Sequence, residues 1–442
     1  MTTTNRGSLI AFISVTLLFF AWGFITNLID PLIPAVMGVF GLKIDDAFLT
    51  QFAFFIAYGV FSLPGGALVA KIGYSKTILI SLTAMVVACL IFPLATNLSS
   101  YYLMLVALFI LGGGITVLQV AANPLSAALG DPKTSHSRLV LSQAFNSLGT
   151  VLGPYLGAAM MLSGGLFAAS AAGDMDAARA ASIQKIDTTF LTAAFMLVLL
   201  ILFMWSQSRR VTAAAPPAQA EKFSIMDALR AKWALAGGFA IFVYVGAEVA
   251  IASIMINFLQ RPDVIADLLH APGHTTMLFF VDFEGDPAER AGKMLGGLYW
   301  FGAMVGRFAG SWLLTKIKAP NLLAIFASMT VLLCLAVSQT DGSTAAYCAL
   351  SVGLFNSIMF PAIFTITLER SKASVAATSG LLCMSIVGGA IIPQIVARIA
   401  AKGFYHEAYF VPLVCYALIV VFALRAAKAP VVSHGAAPAS GH

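Results

Sequence analysis

The sequence predicts an all-α membrane protein, with twelve transmembrane helices arranged as two parallel six-helix repeats. Three observations predict it. The 442 residues are 60% hydrophobic and only 10% charged, whereas a soluble domain is about 45–50% apolar and about 25% charged. The mean hydropathy is +0.92, and the apolar residues come in runs near the roughly 20 that cross a bilayer. Glycine and proline punctuation also recurs from one half of the chain to the other at nearly one offset.

The apolar runs place spans 1 to 6 at 9–37, 49–70, 77–96, 101–129, 139–163 and 189–206. Spans 7 to 12 follow at 233–259, 294–315, 321–338, 344–368, 375–400 and 408–425. A polar, Ala- and Pro-containing stretch separates the two sets, with Trp205 and Trp233 flanking it as interfacial anchors do. The chain therefore divides into an N-terminal half (1–206), a cytoplasmic linker (207–232), a C-terminal half (233–425) and a disordered cytoplasmic tail (426–442).

The repeat rests on particular pairs. Pro124 in span 4 is matched by Pro361 in span 10, and Gly149 and Pro154 in span 5 by Gly388 and Pro393 in span 11. Gly66 and Lys71 have a looser echo in Gly310 and Lys316. Parallel repeats of this kind place a substrate between the halves, near the bilayer midplane. With the N-terminus inside, cytoplasmic segments collect most of the 25 basic residues, and the outer loops most of the 19 acids. The positive-inside rule then puts both termini in the cytoplasm.

Several classes are set aside by the same reading. The net charge of +6 is spread over many short loops rather than gathered in a stripe, so no nucleic-acid partner is expected. Cys89, Cys334, Cys348, Cys383 and Cys415 lie in apolar runs without a CxxC pair, and read as small buried hydrophobes. The six histidines fall in loops or the tail, so no metal site is drawn and no cofactor is expected. No nucleophile–base pair or appended soluble domain points to an enzyme. The N-terminus lacks the features of a cleaved signal peptide.

Two carboxylates fall inside spans: Asp30 in span 1 and Glu248 in span 7. A charge at the bilayer centre costs about 2.5–3.5 kcal/mol on insertion scales, so each needs a partner, a wet cavity or a proton. A carboxyl group that gains and loses a proton as a cavity changes sides carries that proton. The plainer alternative is a neutral acid hydrogen-bonded to a neighbouring helix. Amides form the second group. Asn27 lies one turn from Asp30, Gln119 and Asn123 share a face of span 4, and Gln143 and Asn146 share one of span 5. Asn257 (span 7), Asn356 (span 10) and Gln394 (span 11) complete the set. Amides donate and accept in the directions a sugar's hydroxyls require, and Phe24, Tyr244, Tyr299, Trp300 and Phe360 offer rings to its C–H faces. The alternative is interhelical hydrogen bonding for the amides and core or lipid contact for the rings.

The loop Gly66-Ala-Leu-Val-Ala-Lys71-Ile-Gly73 fits the major facilitator signature Gly-x-Leu-x-x-basic-x-Gly, with Ala70 at the usual Asp. Arg307, in Gly306-Arg307-Phe-Ala-Gly310-Ser-Trp312-Leu of span 8, is grouped with this gating loop. A competing signal is Gly149-xxx-Gly153-Pro154-xx-Gly157, which is similar to the motif of drug–proton antiporters. Asn27-Leu-Ile-Asp30, Val120-Ala-Ala-Asn123-Pro124, Arg138-Leu-Val-Leu-Ser-Gln143-Ala-Phe-Asn146-Ser-Leu-Gly149 and Tyr244-Val-Gly-Ala-Glu248 resemble the fucose–glucose–galactose:cation symporter family of the major facilitator superfamily. That resemblance implies a proton-coupling role for Asp30 with Asn27 beside it, and sugar contacts from Gln143 and Asn146. Gln119 stands where the fucose branch carries Glu, and Glu248 where it carries Gln, which favours the glucose/galactose branch and makes Glu248 the candidate second acid. The expectation is an inner-membrane importer of a neutral monosaccharide (glucose, galactose, mannose or N-acetylglucosamine type). It is coupled to H+, with Na+ as the alternative ion, and works in the lipid bilayer as a monomer. The long acidic loop from Gln260 to Lys293 is either an outer flap or a solvated connection.

Overall fold

The computed structural model describes residues 3–42, 49–161, 175–215, 224–261, 264, 291 and 294–432. Most of the long acidic loop and the end of the tail lie outside the described residues. Residue contacts divide the chain into two compact units. One holds Met1–Pro132 with Leu141–Ala220, the other Lys133–Val140 with Glu221–His442.

In the first unit, α1 (Thr3–Thr26) and α2 (Ile29–Phe40) together form span 1. Next come α3 (Leu49–Ile72), α4 (Tyr74–Asn97), α5 (Tyr101–Ala128), α6 (Ser135–Met161), which belongs to this unit from Leu141 onward, and α7 (Met175–Ala214). In the second unit, the short α8 (Ile225–Arg230) precedes α9 (Lys232–Leu259). A π-helical segment, Leu295–Trp300, runs into α10 (Phe301–Leu313), and α11 (Ala319–Gln339) follows. Span 10 is split into α12 (Gly342–Asn356) and α13 (Met359–Arg370), and span 11 into α14 (Val375–Met384) and α15 (Gly388–Ala400). The chain then turns through α16 (Tyr405–Ala408) into α17 (Phe410–Lys428).

Among the described residues, ten helices or joined helices are long and apolar enough to cross a membrane. The other two expected spans are α6, whose apolar run is diluted by its own amides and hydroxyls, and the π segment with α10. The expected linker is partly helical, because α7 continues to Ala214 and α8 lies within 207–232. Span 6 also starts earlier than expected. The Ala-rich stretch Met175-Asp-Ala-Ala-Arg-Ala-Ala favours helix strongly enough to extend α7 beyond its apolar part. His136 and His406, expected in loops, stand in the first turns of α6 and α16. His136 Nε2 meets Glu369 Oε1 at 2.9 Å.

Two breaks have a shared cause. The chain leaves helical geometry at Asn27–Leu28 and at Ser357–Ile358. Four residues after each break begins stands a proline, Pro31 or Pro361. Proline has no N–H and its ring presses on the carbonyl four residues back, so the carbonyls of Asn27 and Ser357 lose their helical donors. Each proline falls in the first turn of the restarted helix, where its missing N–H is not needed. Pro124, the expected counterpart of Pro361, differs: α5 runs through it unbroken.

The same pairings recur in both units. Span 3 packs on span 6 and span 2 on span 4, while in the second unit span 9 packs on span 12 and span 8 on span 10. A Cβ on Gly149 would collide with the Phe20 carbonyl of α1, and one on Gly388 with the Phe242 carbonyl of α9. Span 5 therefore touches span 1 as span 11 touches span 7. The connection from α3 to α4 is a single residue, Gly73, at φ 82°, a left-handed conformation that only glycine adopts cheaply.

Candidate functional site

In the first unit, amides from three helices converge. Gln119 and Asn123 are one turn apart on α5, and Gln143 and Asn146 nearly so on α6, so each pair points one way. Gln143 Nε2 donates to Asn123 Oδ1 at 3.4 Å, and Gln119 Nε2 to the Tyr58 hydroxyl at 2.8 Å. Asn146 Nδ2 donates to the Phe19 carbonyl of α1 at 2.9 Å. Asn27, at the span 1 break, donates to the Gly23 carbonyl at 2.7 Å and to Thr150 Oγ1 at 3.3 Å. Ser142 Oγ links Thr16 (3.1 Å) and Ser126 (2.8 Å) into a hydroxyl chain beside them. The Asn123 amide nitrogen is buried with no hydrogen-bond partner. Asp30 begins α2, and its side chain lies outside the described residues. Phe24 is half-buried and stacks on Phe20. Gly66 is buried in α3 and Lys71 is exposed in its last turn.

In the second unit the polar groups gather at the span 10 break. Asn356 Nδ2 donates to the Tyr299 hydroxyl at 2.9 Å, and that hydroxyl reaches the Glu248 carbonyl at 3.4 Å. The Tyr244 hydroxyl donates to the Asn356 carbonyl at 3.0 Å. Arg307 Nε donates to the Ser357 carbonyl at 3.0 Å. Glu248 stands one turn beyond Tyr244 on α9 and interacts electrostatically with Arg307. Glu248 Oε1, Asn356 Oδ1, Ser357 Oγ and the Tyr416 hydroxyl are buried without hydrogen-bond partners. In an apolar setting each such atom is costly until something fills it.

The structure thus brings Tyr244, Glu248, Asn356 and Arg307 together. Phe360 is buried near the break and packs on Phe364. Asn257 stays apart: nine residues beyond Glu248 it is half a turn round α9, and it is exposed. Sequence reasoning missed Tyr58, Thr150, Ser357 and Tyr416. Ser357 had a signal, the proline four residues on. Tyr58, Thr150 and Tyr416 had none, since a hydroxyl in an apolar run is ordinary. Tyr299 enters through its hydroxyl rather than its ring face. Tyr299→Phe leaves Asn356 Nδ2 buried and unpaired, which is expected to destabilise the protein by about 1–3 kcal/mol. A lowered thermal midpoint of the purified protein would register it, and an unchanged one would show that the bond is dispensable.

A model of the Major Facilitator Superfamily matches residues 11–393. The chain belongs to that superfamily. The glucose/galactose transporter of Brucella abortus (strain 2308) is 39% identical over 427 residues, covering 97% of this chain and 96% of that protein. The putative glucose/galactose transporter of Helicobacter pylori (strain ATCC 700392 / 26695) is 35% identical over 423 residues, covering 94% and 96%. The crystal structure of the E. coli fucose:proton symporter superposes with a TM-score of 0.79 at 25% identity, covering 96% of this chain and 100% of that one. The family and branch expected from the quoted motifs are both recovered. Within the superfamily fold, the span 5 glycines have a packing role. Gly153 would place a Cβ 2.7 Å from the Phe24 carbonyl and Gly157 one 2.8 Å from Pro31, both in span 1. The resemblance to drug antiporters is therefore accounted for by close helix approach.

Proposed function

We propose that the chain imports a neutral monosaccharide of the glucose, galactose, mannose or N-acetylglucosamine type by proton symport. It works by alternating access in a bacterial inner membrane with both termini cytoplasmic. One observation carries the reading: each unit buries a cluster of amides and hydroxyls that its own neighbours leave incompletely bonded. A polyol supplies donors and acceptors on every carbon, and a missing hydroxyl would leave one of these groups unpaired, which is how such a site discriminates. The relatives' names point to the same substrate class. Asp30, from its place in span 1, is the first coupling carboxyl, and Glu248 the second. A lone carboxyl group carries a proton without the oxygen cage that sodium requires.

The test is uptake of a radiolabelled panel (glucose, galactose, mannose, fucose, N-acetylglucosamine) into proteoliposomes under an imposed pH or sodium gradient. Wild type is expected to accumulate one of these sugars under the pH gradient. Asp30→Asn is expected to abolish accumulation while sugar counterflow persists. Accumulation under the sodium gradient alone would replace the coupling ion, and no uptake under either gradient would sink the reading.

A further inference from the structure

The start of α6 belongs with the second unit, which includes Lys133–Val140, while the same helix joins the first unit from Leu141. Side chains make the docking contact. Ser137 Oγ donates to the Ser311 carbonyl of α10 at 2.8 Å, and Ser311 Oγ donates back to the Ser137 carbonyl at 2.9 Å. His136 turns to α13 instead. Its Nδ1 meets Thr365 Oγ1, and its Nε2 meets Glu369 Oε1 at 2.9 Å.

The hydrogens available at this contact fix the state of the ring. Thr365 has one hydroxyl hydrogen, which it donates within α13, to the Pro361 carbonyl at 2.8 Å and more weakly to that of Ala362 at 3.3 Å. The same oxygen then accepts from His136, so Nδ1 carries a hydrogen. A carboxylate only accepts, so Nε2 carries one as well. An imidazole protonated on both nitrogens is a cation. The neutral ring has a single N–H, and must give up the Glu369 bond, the Thr365 bond, or the bond from Thr365 to Pro361.

The anionic side of the contact is held by its own unit. Glu369 Oε2 accepts from Arg370 Nη1 at 3.1 Å, and the Glu369 carbonyl accepts from the Val432 N–H at 2.8 Å. Arg370 is buried, and it also donates to the Ile366 and Ala426 carbonyls at 3.2 Å each. An arginine stays charged throughout the physiological range, so Glu369 keeps a cationic partner whatever the state of His136. On the α6 side the charged neighbours are Lys133 and Arg138, the latter donating to Thr134 Oγ1 at 2.7 Å. From α10 the contact receives Ser311, which is uncharged. Histidine is the residue type in this group that changes charge in the physiological range.

We propose that His136 is a proton-operated latch that fastens the start of α6 to α13. Charged, the ring bonds Thr365 and Glu369 together. Neutral, it loses one of those bonds, and the docking is left chiefly to the Ser137–Ser311 pair. The contact therefore holds firmly at low pH and weakens as pH rises. This is a regulatory role distinct from the coupling carboxyls. It rests on the proton-symport reading for its sidedness, because on that reading the contact faces the cytoplasm, and acid accumulating inside tightens it.

The experiment is hydrogen exchange of the purified full chain in lipid nanodiscs, read on peptides covering Ser135–Ala144 across a pH series and corrected for the intrinsic pH dependence of exchange. In wild type, exchange at the start of α6 is expected to rise with pH by about tenfold or more, the scale of one charge-assisted hydrogen bond. His136→Gln, which cannot change charge, is expected to exchange at the fast rate at every pH. Ser137→Ala is expected to raise exchange throughout while keeping the pH dependence, which separates the latch from the hydroxyl pair. A flat or inverted wild-type profile, or a wild-type profile surviving in His136→Gln, overturns the proposal. Should His136→Gln fail to fold, Glu369→Gln, which removes the anion and leaves the ring, decides in its place, and a wild-type profile there overturns the proposal as well. No sugar or gradient enters this measurement, so a failure of the sugar reading in the uptake assay remains separate from a failure here.

Discussion

Proteoliposomes carrying Glu248→Gln are expected to equilibrate sugar across the membrane without concentrating it. One charge moving inward down the membrane potential yields roughly 2.3 kcal/mol per 100 mV. At tenfold per 1.4 kcal/mol, that supports about 50-fold accumulation per 100 mV. A glutamine keeps the size and hydrogen-bonding reach of Glu248 beside Tyr244, so the break and the Asn356 cluster stay assembled while the proton loses its seat. Sugar exchange without net proton movement should therefore continue near the wild-type rate. The loss falls on coupling rather than on folding, and a thermal midpoint close to wild type is the control. Full accumulation with full pH dependence in Glu248→Gln would remove the residue from the coupling mechanism and leave Asp30 to act alone.

Gly149→Ala and Gly388→Ala should each destabilise the protein by about 1–3 kcal/mol, the usual cost of overpacking a closed interface. The neighbours are main-chain atoms: the Phe20 carbonyl and the Phe24 nitrogen for Gly149, the Phe242 carbonyl for Gly388. Neither can swing aside as a side chain would, so whole helices must part. Gly59→Ala makes the contrast, since a Cβ there meets nothing within 4 Å and alanine suits a helix better than glycine. Thermal unfolding of the three detergent-solubilised variants should separate the first two from the third. Equal midpoints would mean that spans 1 and 5, and spans 7 and 11, tolerate wider separation than their packing suggests.

Much of this architecture was legible in the residue order, and particular residues show why. Long apolar runs dictate helices because backbone groups in lipid must find partners within their own segment. Pro31 and Pro361 stand four residues after helix breaks, where a missing N–H frees a carbonyl, but α5 runs unbroken through Pro124, so a proline marks where a break can fall and the packing around it decides whether it does. Gly149 and Gly388 announced a repeat, and each fills the same position against its own neighbouring span. The amide pairs on α5 and α6 followed from helical spacing alone. The same spacing sets Asn257 half a turn from Glu248, so counting at 100° per residue would have separated them.

The sequence by itself determined the helices, the prolines at which they can break and the supply of polar groups within them. Only the tertiary structure decided which of those groups meet: Gln119 with Tyr58, Asn27 with Thr150, Asn356 with Tyr299, and Arg307 with the Ser357 carbonyl. The reason is physical. A helix that is apolar on nearly every side carries no stripe to say which face turns inward. Its rotation and depth are set by side-chain packing against neighbours distant in the chain, and a shift of one residue turns a helix by 100° and carries an amide away from its partner.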